Sequence, residues 1–170
     1  MTAPESGSGK ERLKVDNVPQ GPHVGILYSM IDLGDQWETR YPPAKWQRKI
    51  QLIWELPMEK RVFYAGEEPK PCAIFGNYTF VISDKSILKK KIEEMIGRQL
   101  QKSEYSGPNG FNIGSLLGKA YMLNIVHNPN RNDPSIIYEN ISTISAITER
   151  TKALMTGFPW EQIVQTNPTR

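Results

Sequence analysis

Residues 45–57, KWQRKIQLIWELP, constrain the fold more than any other stretch of the chain. Read with period two, Trp46, Arg48, Ile50, Leu52, Trp54 and Leu56 fall on one side, and Gln47, Lys49, Gln51, Ile53 and Glu55 on the other. Successive side chains of a strand point to opposite faces of its sheet, so this alternation predicts a long, half-buried strand. The mostly apolar side is expected to face the core, and the polar side leaves Lys49 and Gln51 to meet a ligand. Trp46 and Trp54 both read as core residues, with Trp46, near the strand start, the better placed for exposure. A one-residue change of register would expose Trp46, Trp54 and Tyr78 instead. Pro57 cannot donate to a ladder, so the strand is expected to stop there.

Shorter elements follow from the same periodicities. Residues 23–33 (HVGILYSMIDL) predict a first strand that is apolar on both faces, with Gly25 marking a bulge or a bend. Residues 32–35 predict a turn. Residues 36–44 predict a loop bearing Trp37, Arg40 and Tyr41, which either cap a barrel end or meet a ligand. Residues 58–71 read as a charged, proline-bearing loop or a flexible hairpin. Residues 72–83 (CAIFGNYTFVIS) predict a third strand, with Ile74, Gly76, Tyr78, Phe80 and Ile82 on one face and Phe75, Asn77, Thr79 and Val81 on the other. A helix follows, capped by Ser83 or Asp84, with Leu88, Ile92, Met95 and Ile96 inward and Gly97 at its end. Lys85, Lys89, Lys90 and Lys91 read as its solvated face. A helical turn capped by Asn112 and stopped by Gly118 precedes two closing strands, 120–127 and 136–147. The second is expected to be bulged, because Ile141, Ile144 and Ile147 break strict alternation. Between them NPNRNDPS reads as a hairpin loop.

Composition bounds the class. A chain of 170 residues with 38% hydrophobic and 23% charged residues is that of one globular domain. The domain is expected over residues 19–147, between a flexible N-terminal arm, 1–18, and a C-terminal extension, 148–170. The arm has too few bulky apolar groups to offset its ordering entropy. Its Gly7-Ser8-Gly9-Lys10 is no phosphate loop, since Pro4 and Glu11 stand where the Walker pattern needs Gly and Ser or Thr. The single cysteine, Cys72, fits a reducing cytosol. No apolar run approaches the ~18 residues of a transmembrane helix, and the N-terminal residues lack a signal-peptide h-region. A cytoplasmic protein with no membrane partner is expected. The net charge of +3 permits an anionic partner without demanding one.

Five strands with a helix between the third and fourth match a mainly β architecture, the partly open five-stranded Greek-key barrel of the OB-fold. There the outer face of strands two and three, with the loops after strands one and four, forms the oligonucleotide site. In this chain that face offers Gln47, Lys49, Gln51, Ile53, Phe75, Asn77 and Thr79. One loop adds Trp37, Arg40, Tyr41 and Lys45, and the other Asn128, Arg131 and Asn132. The candidate contacts are Trp37, Arg40, Tyr41, Lys45, Trp46, Lys49, Gln51, Phe75, Asn77 and Arg131. Stacking a base on an aromatic ring contributes ~1–3 kcal/mol, while cations follow the phosphates.

Several short motifs occur in a recognisable order. They are Asp32-Leu33-Gly34, Arg48-Lys49 leading to Ile53-Trp54-Glu55-Leu56, Tyr78-Thr79, Lys85-Ser86-x-Leu88, and Gly110-Phe111-Asn112-Ile113 with Leu116-Leu117-Gly118-Lys119. Together, over about residues 21–147, they resemble a group of phage-encoded proteins regarded as single-stranded-DNA-binding proteins of replication and recombination. The resemblance implies an OB-fold and a role in coating phage DNA, and it fixes no contact residues. Phage or host replication and recombination proteins, and a second copy of the chain, are candidate partners beside single-stranded DNA. Residues 148–170 lack the acidic tail of better-known single-strand binders, carrying Glu149 and Glu161 against Arg150, Lys152 and Arg170.

Enzymatic constellations are weak. His23 and His127 are far apart and have no nearby cysteine or histidine, whereas a zinc site needs about four ligands. Cys72 has no evident activating base and reads as a buried small residue. Asp32, Asp35, Glu38, Glu55 and Glu59 read as surface charge rather than a nuclease metal cluster. The chain is expected to be a binder without cofactor or metal. A sequence-tolerant single-stranded-DNA binder is the first reading. The second is a protein–protein adaptor on the same barrel, whose Gly157-Phe158-Pro159-Trp160 either docks on a partner or returns to its own barrel.

Overall fold

The computed structural model describes residues 9–106 and 110–160. Residues 1–8, 107–109 and 161–170 lie outside it, and with them the first eight residues of the expected arm, including Gly7 and Ser8, and the last part of the expected extension. The described chain is mainly β. Strands β1 (Gly21–Glu38), β2 (Lys45–Arg61), β3 (Lys70–Thr79), β4 (Ala120–Pro129) and β5 (Ile137–Ala146) form one five-stranded antiparallel sheet in the order β3-β2-β1-β4-β5. Cα atoms of the two edge strands, β3 and β5, approach within 8 Å without a ladder between them. Helical residues are distributed more widely than the one helix and one helical turn expected, adding residues at Lys102–Glu104 and after β5. Helix α1 (Ile87–Ile96) follows β3, short 3-10 turns occupy Lys102–Glu104 and Ile113–Leu116, and a further helix, α2 (Glu149–Leu154), follows β5. No helix among the described residues is long and apolar enough to cross a membrane.

Strand β1 serves two neighbours. Gly21 to Ile26 pair with β4, and Ile26 to Glu38 pair with β2. Gly25 lies just before this changeover. A Cβ there would stand 2.5 Å from Leu123 Cδ1 and 3.3 Å from Trp54 Cβ, so of the bulge or bend expected at Gly25 there is no bulge at the residue itself, and the glycine serves a close approach at the changeover. The bulges lie further on, at Tyr28 and Leu33, where the register with β2 skips one residue. Asp32-Leu33-Gly34 is therefore a bulge within β1 and not the expected turn. Gly34 takes φ +66°, and its N–H donates to Asp32 Oδ1 at 2.9 Å. The strand then continues through Trp37 to Glu38, opposite Lys45.

The core follows the period-two reading of β2: Ile50, Leu52, Trp54 and Leu56 are all buried. Trp46, read as core, is 66% exposed because it lies beyond the end of the covered sheet. Pro57 does not end the strand. Its stretch lies between Leu56 and Lys60, where the ladder to β3 is interrupted, so its missing N–H removes no bond from that ladder. On β3, Cys72 and Ile74 are buried, and Tyr78 lies across Gly76 in the space a side chain there would need.

Helix α1 is capped by Ser86, not Ser83 or Asp84; the Ser86 hydroxyl accepts from the Lys89 N–H at 3.2 Å. Gly97, at φ 72°, ends it. Leu88, Ile92 and Met95 face the core. The lysine face is not all solvated, since Lys91 is buried. Its Nζ donates to Glu94 Oε2 (3.1 Å) and to the Ser142 carbonyl (2.9 Å), while the Ile144 N–H donates to Glu94 Oε2 (3.0 Å). Ser142 is the bulged residue of β5, skipped in the register between Thr143 and Ile141. The ion pair supplies partners near the point where the ladder is broken, which offsets the desolvation of Lys91.

Residues 10–20, read mostly as mobile, stitch the two edges of the sheet. Leu13 N–H donates to the Phe63 carbonyl (2.8 Å), and Lys10 pairs with Glu67 (2.6 Å), both beside the β2–β3 connection. At the other end Val18 N–H donates to Glu139 Oε1 (2.6 Å), and His127 Nε2 meets the Val18 carbonyl (2.7 Å). The Val18 side chain is 2% exposed within the core. Composition predicts mobility because it counts apolar groups; here one valine and a set of main-chain bonds are sufficient. Val18→Ala is expected to lower stability by about 2 kcal/mol in urea unfolding. An unchanged midpoint would mean that the segment does not hold the seam.

Burial pushes the phenols of Tyr78 and Tyr121 up to about 12, with the charge of Glu94 adding at Tyr78. A group whose pKa is higher in the folded state contributes stability below its unfolded value and loses it as pH rises. The expected alkaline transition therefore runs from about pH 10 to about pH 12. Tyr78→Phe and Tyr121→Phe are each expected to flatten it in unfolding measured against pH.

Candidate nucleic-acid interface

Beyond the covered sheet, β1 and β2 run on as a two-stranded ribbon joined at residues 39–44. Its two faces carry different chemistry. On the face continuous with the core, Trp37 stands opposite Trp46 and Arg48 opposite Asp35. The two indole rings lie 5.3 Å apart at 57°, and Trp37 and Trp46 are 53% and 66% exposed. Trp37 thus belongs to a strand and not to the expected loop. Tyr41, on the connecting loop, is 69% exposed. Two large aromatics on a hairpin tip bury little of their own surface and contribute less to the core than their size would allow.

The opposite face continues the outer side of the sheet. Register aligns Phe75 with Ile53 and Ser29, Asn77 with Gln51 and Ile31, and Thr79 with Lys49 and Gly34. The period-two reading of β2 and β3 is correct here: Phe75 and Asn77 are exposed, and Lys49 and Gln51 are partly so. Gln51 Nε2 donates to Asn77 Oδ1 at 3.0 Å. Lys49 Nζ donates to Gln47 Oε1 and Thr79 Oγ1, both at 3.0 Å, and lies 3.3 Å from Glu38 Oε2. The Arg40 backbone N–H and Lys49 together hold the Glu38 carboxyl below the usual carboxylate range. Lys49 is thus an already neutralised cation. Arg40, Lys45 and Arg131 are exposed and make no ion pair among the described residues.

The candidate residues therefore fall into three groups. Trp37, Arg40, Tyr41, Lys45 and Trp46 cluster at the ribbon tip. Lys49, Gln51, Phe75 and Asn77 share the outer face. Arg131 stands on the β4–β5 loop, whose Asn130 Nδ2 donates to the Tyr138 hydroxyl at 2.8 Å. Tyr138, 52% exposed on β5, lines with Phe75, Phe63 and residues 15–18 a groove of about 520 Å³ along the β3–β5 seam. Sequence reasoning missed Tyr138, although its exposed alternation beside the hairpin loop is a usable signal. The C-terminal aromatics turn back: Trp160 lines a surface depression with Met95, Tyr121 and Ala146, and its ring packs tilted at 44° against Phe158, with centroids 4.4 Å apart. His127 anchors the Val18 segment, its Nε2 lying 2.7 Å from the Val18 carbonyl. Among the described residues no cluster of three or more His, Cys, Asp or Glu side chains is placed to hold a metal ion.

No family model, curated protein or solved structure matches the chain.

Iodide quenching of single-tryptophan variants tests the geometry. Trp37 and Trp46 are expected to quench readily, and Trp54, 0% exposed, hardly at all. Equal quenching of Trp46 and Trp54 would contradict the ribbon.

Proposed function

We propose that the protein binds single-stranded DNA with little sequence preference, on an OB-type barrel of the kind its motif order resembles in phage replication and recombination proteins. What supports the barrel is a five-stranded antiparallel sheet whose edge strands approach each other at a seam. The observation that carries the function is the exposed Trp37–Trp46 pair, beside Tyr41 and the exposed cations Arg40 and Lys45, which make no ion pair among the described residues. Every base has a flat face, so stacking on such rings is tolerant of sequence, and phosphates are matched by nearby exposed cations. The adaptor reading drew on residues 157–160, whose Trp160 is turned toward the protein's own surface.

Binding of oligo-dT is expected to quench tryptophan fluorescence and to be much tighter than binding of matched duplex. Salt dependence should come from Arg40, Lys45 and Arg131. Each substitution to Ala is expected to reduce the slope of log K against log salt by about 0.7. Lys49→Ala, removing a cation already paired with Glu38, is expected to change the slope little. Feeble and equal binding of both nucleic acids would overturn the proposal.

A further inference from the structure

Arg48 lies on the ribbon face that carries Trp46, two residues further along β2. Phe80 is its neighbour across the strands, since the Phe80 N–H donates to the Arg48 carbonyl at 2.8 Å. The guanidinium carbon stands 5.5 Å from the centre of the Phe80 ring. Asp32 accepts from Arg48 Nε (3.0 Å to Oδ2) and from its Nη2, so a carboxylate clamps one edge of the guanidinium. The Arg48 side chain is nevertheless 59% exposed. A flat cationic group is thus seated beside a ring, fixed at its edge, and accessible to solvent.

This arrangement suits a base better than a phosphate. Asp32 already balances the charge, so a phosphate brought to Arg48 gains little and also meets Asp32 and Asp35. A planar guanidinium still stacks on a π-face when its charge is balanced. Two residues along a strand advance about 6.7 Å, so Trp46 and Arg48 present two stacking surfaces in series on one face.

We propose that the Arg48–Phe80 shelf is a further stacking subsite for an unpaired nucleobase, continuing the path of a single strand from the Trp37–Trp46 pair along the ribbon. The proposal rests on the single-strand reading above and adds a residue that neither the expected outer face nor its loops contained. Arg48 acts in it as a plane and not as a phosphate anchor.

Arg48→Lys keeps the charge and loses the plane; Arg48→Ala loses both. Affinity for oligo-dT is measured for each over a range of salt, with Trp46→Ala alongside and with an oligomer of abasic deoxyribose phosphates as second ligand. Thermal melts of each variant establish that it is folded. Both Arg48 variants are expected to bind oligo-dT about fivefold or more weakly, with the wild-type salt slope, and to match wild type on the abasic oligomer. Wild-type affinity of Arg48→Lys would overturn the subsite. So would a slope reduced by about 0.7 in Arg48→Ala and restored in Arg48→Lys, because Arg48 would then be a phosphate contact. If Trp46→Ala weakens binding while Arg48→Lys does not, the subsite fails and the single-strand reading stands. If wild type itself prefers oligo-dT no more than duplex, the reading beneath the proposal fails and the subsite with it.

Discussion

The structure depends on β1 hydrogen-bonding two different strands with its two halves. Its first residues complete a ladder with β4 and its later ones a ladder with β2, and the exchange occurs at Ile26. A sheet built around such a strand must curl. The curl requires close approach at Gly25, where Leu123 and Trp54 leave no room for a side chain. It also brings β3 and β5 near each other without letting them pair. Their gap is sealed by means other than a ladder: the Val18 segment at one place, and α1 with its Lys91–Glu94 pair at another.

The same strand produces the candidate site. β1 and β2 are far longer than the sheet they cover, at 18 and 17 residues against 10 for β3. Residues that keep the core parity beyond the covered region lose their cover, so Trp37, Trp46 and Arg48 are exposed by position and not by polarity. Ile50, next in the same alternation, is 3% exposed. One face of a single strand thus passes from core to candidate ligand surface within a few residues. Ion pairing then sorts the cations. Lys49 and Arg48 have carboxylate partners, whereas the exposed Arg40, Lys45 and Arg131 have none among the described residues.

Local periodicity made much of this legible. The faces of β2 and β3 are read correctly from alternation, because a buried face permits only one register. The Gly97 stop and the Asn112 cap are local chemistry, and they too are visible in the sequence. What is not legible depends on partners distant in the chain. Pro57 looks like a stop until the interrupted ladder shows that its N–H is not needed there. Lys91 looks solvated until β5 offers a carbonyl at its bulge, 51 residues away. Val18 looks mobile until Glu139 and His127 hold its backbone. At the site, the expected outer face is present, but Trp46 lies on the opposite face of the ribbon, so the ten candidates do not form one surface.

The central claim is that a single strand is held by the β1–β2 ribbon. Mapping amide and indole N–H chemical shifts during addition of a short oligo-dT tests it most directly. The account predicts the largest changes at the indoles of Trp37 and Trp46 and at the amides around residues 37–48, with the Trp54 indole unmoved. Changes confined to the β3–β5 seam or to α2, with the ribbon silent, would contradict it.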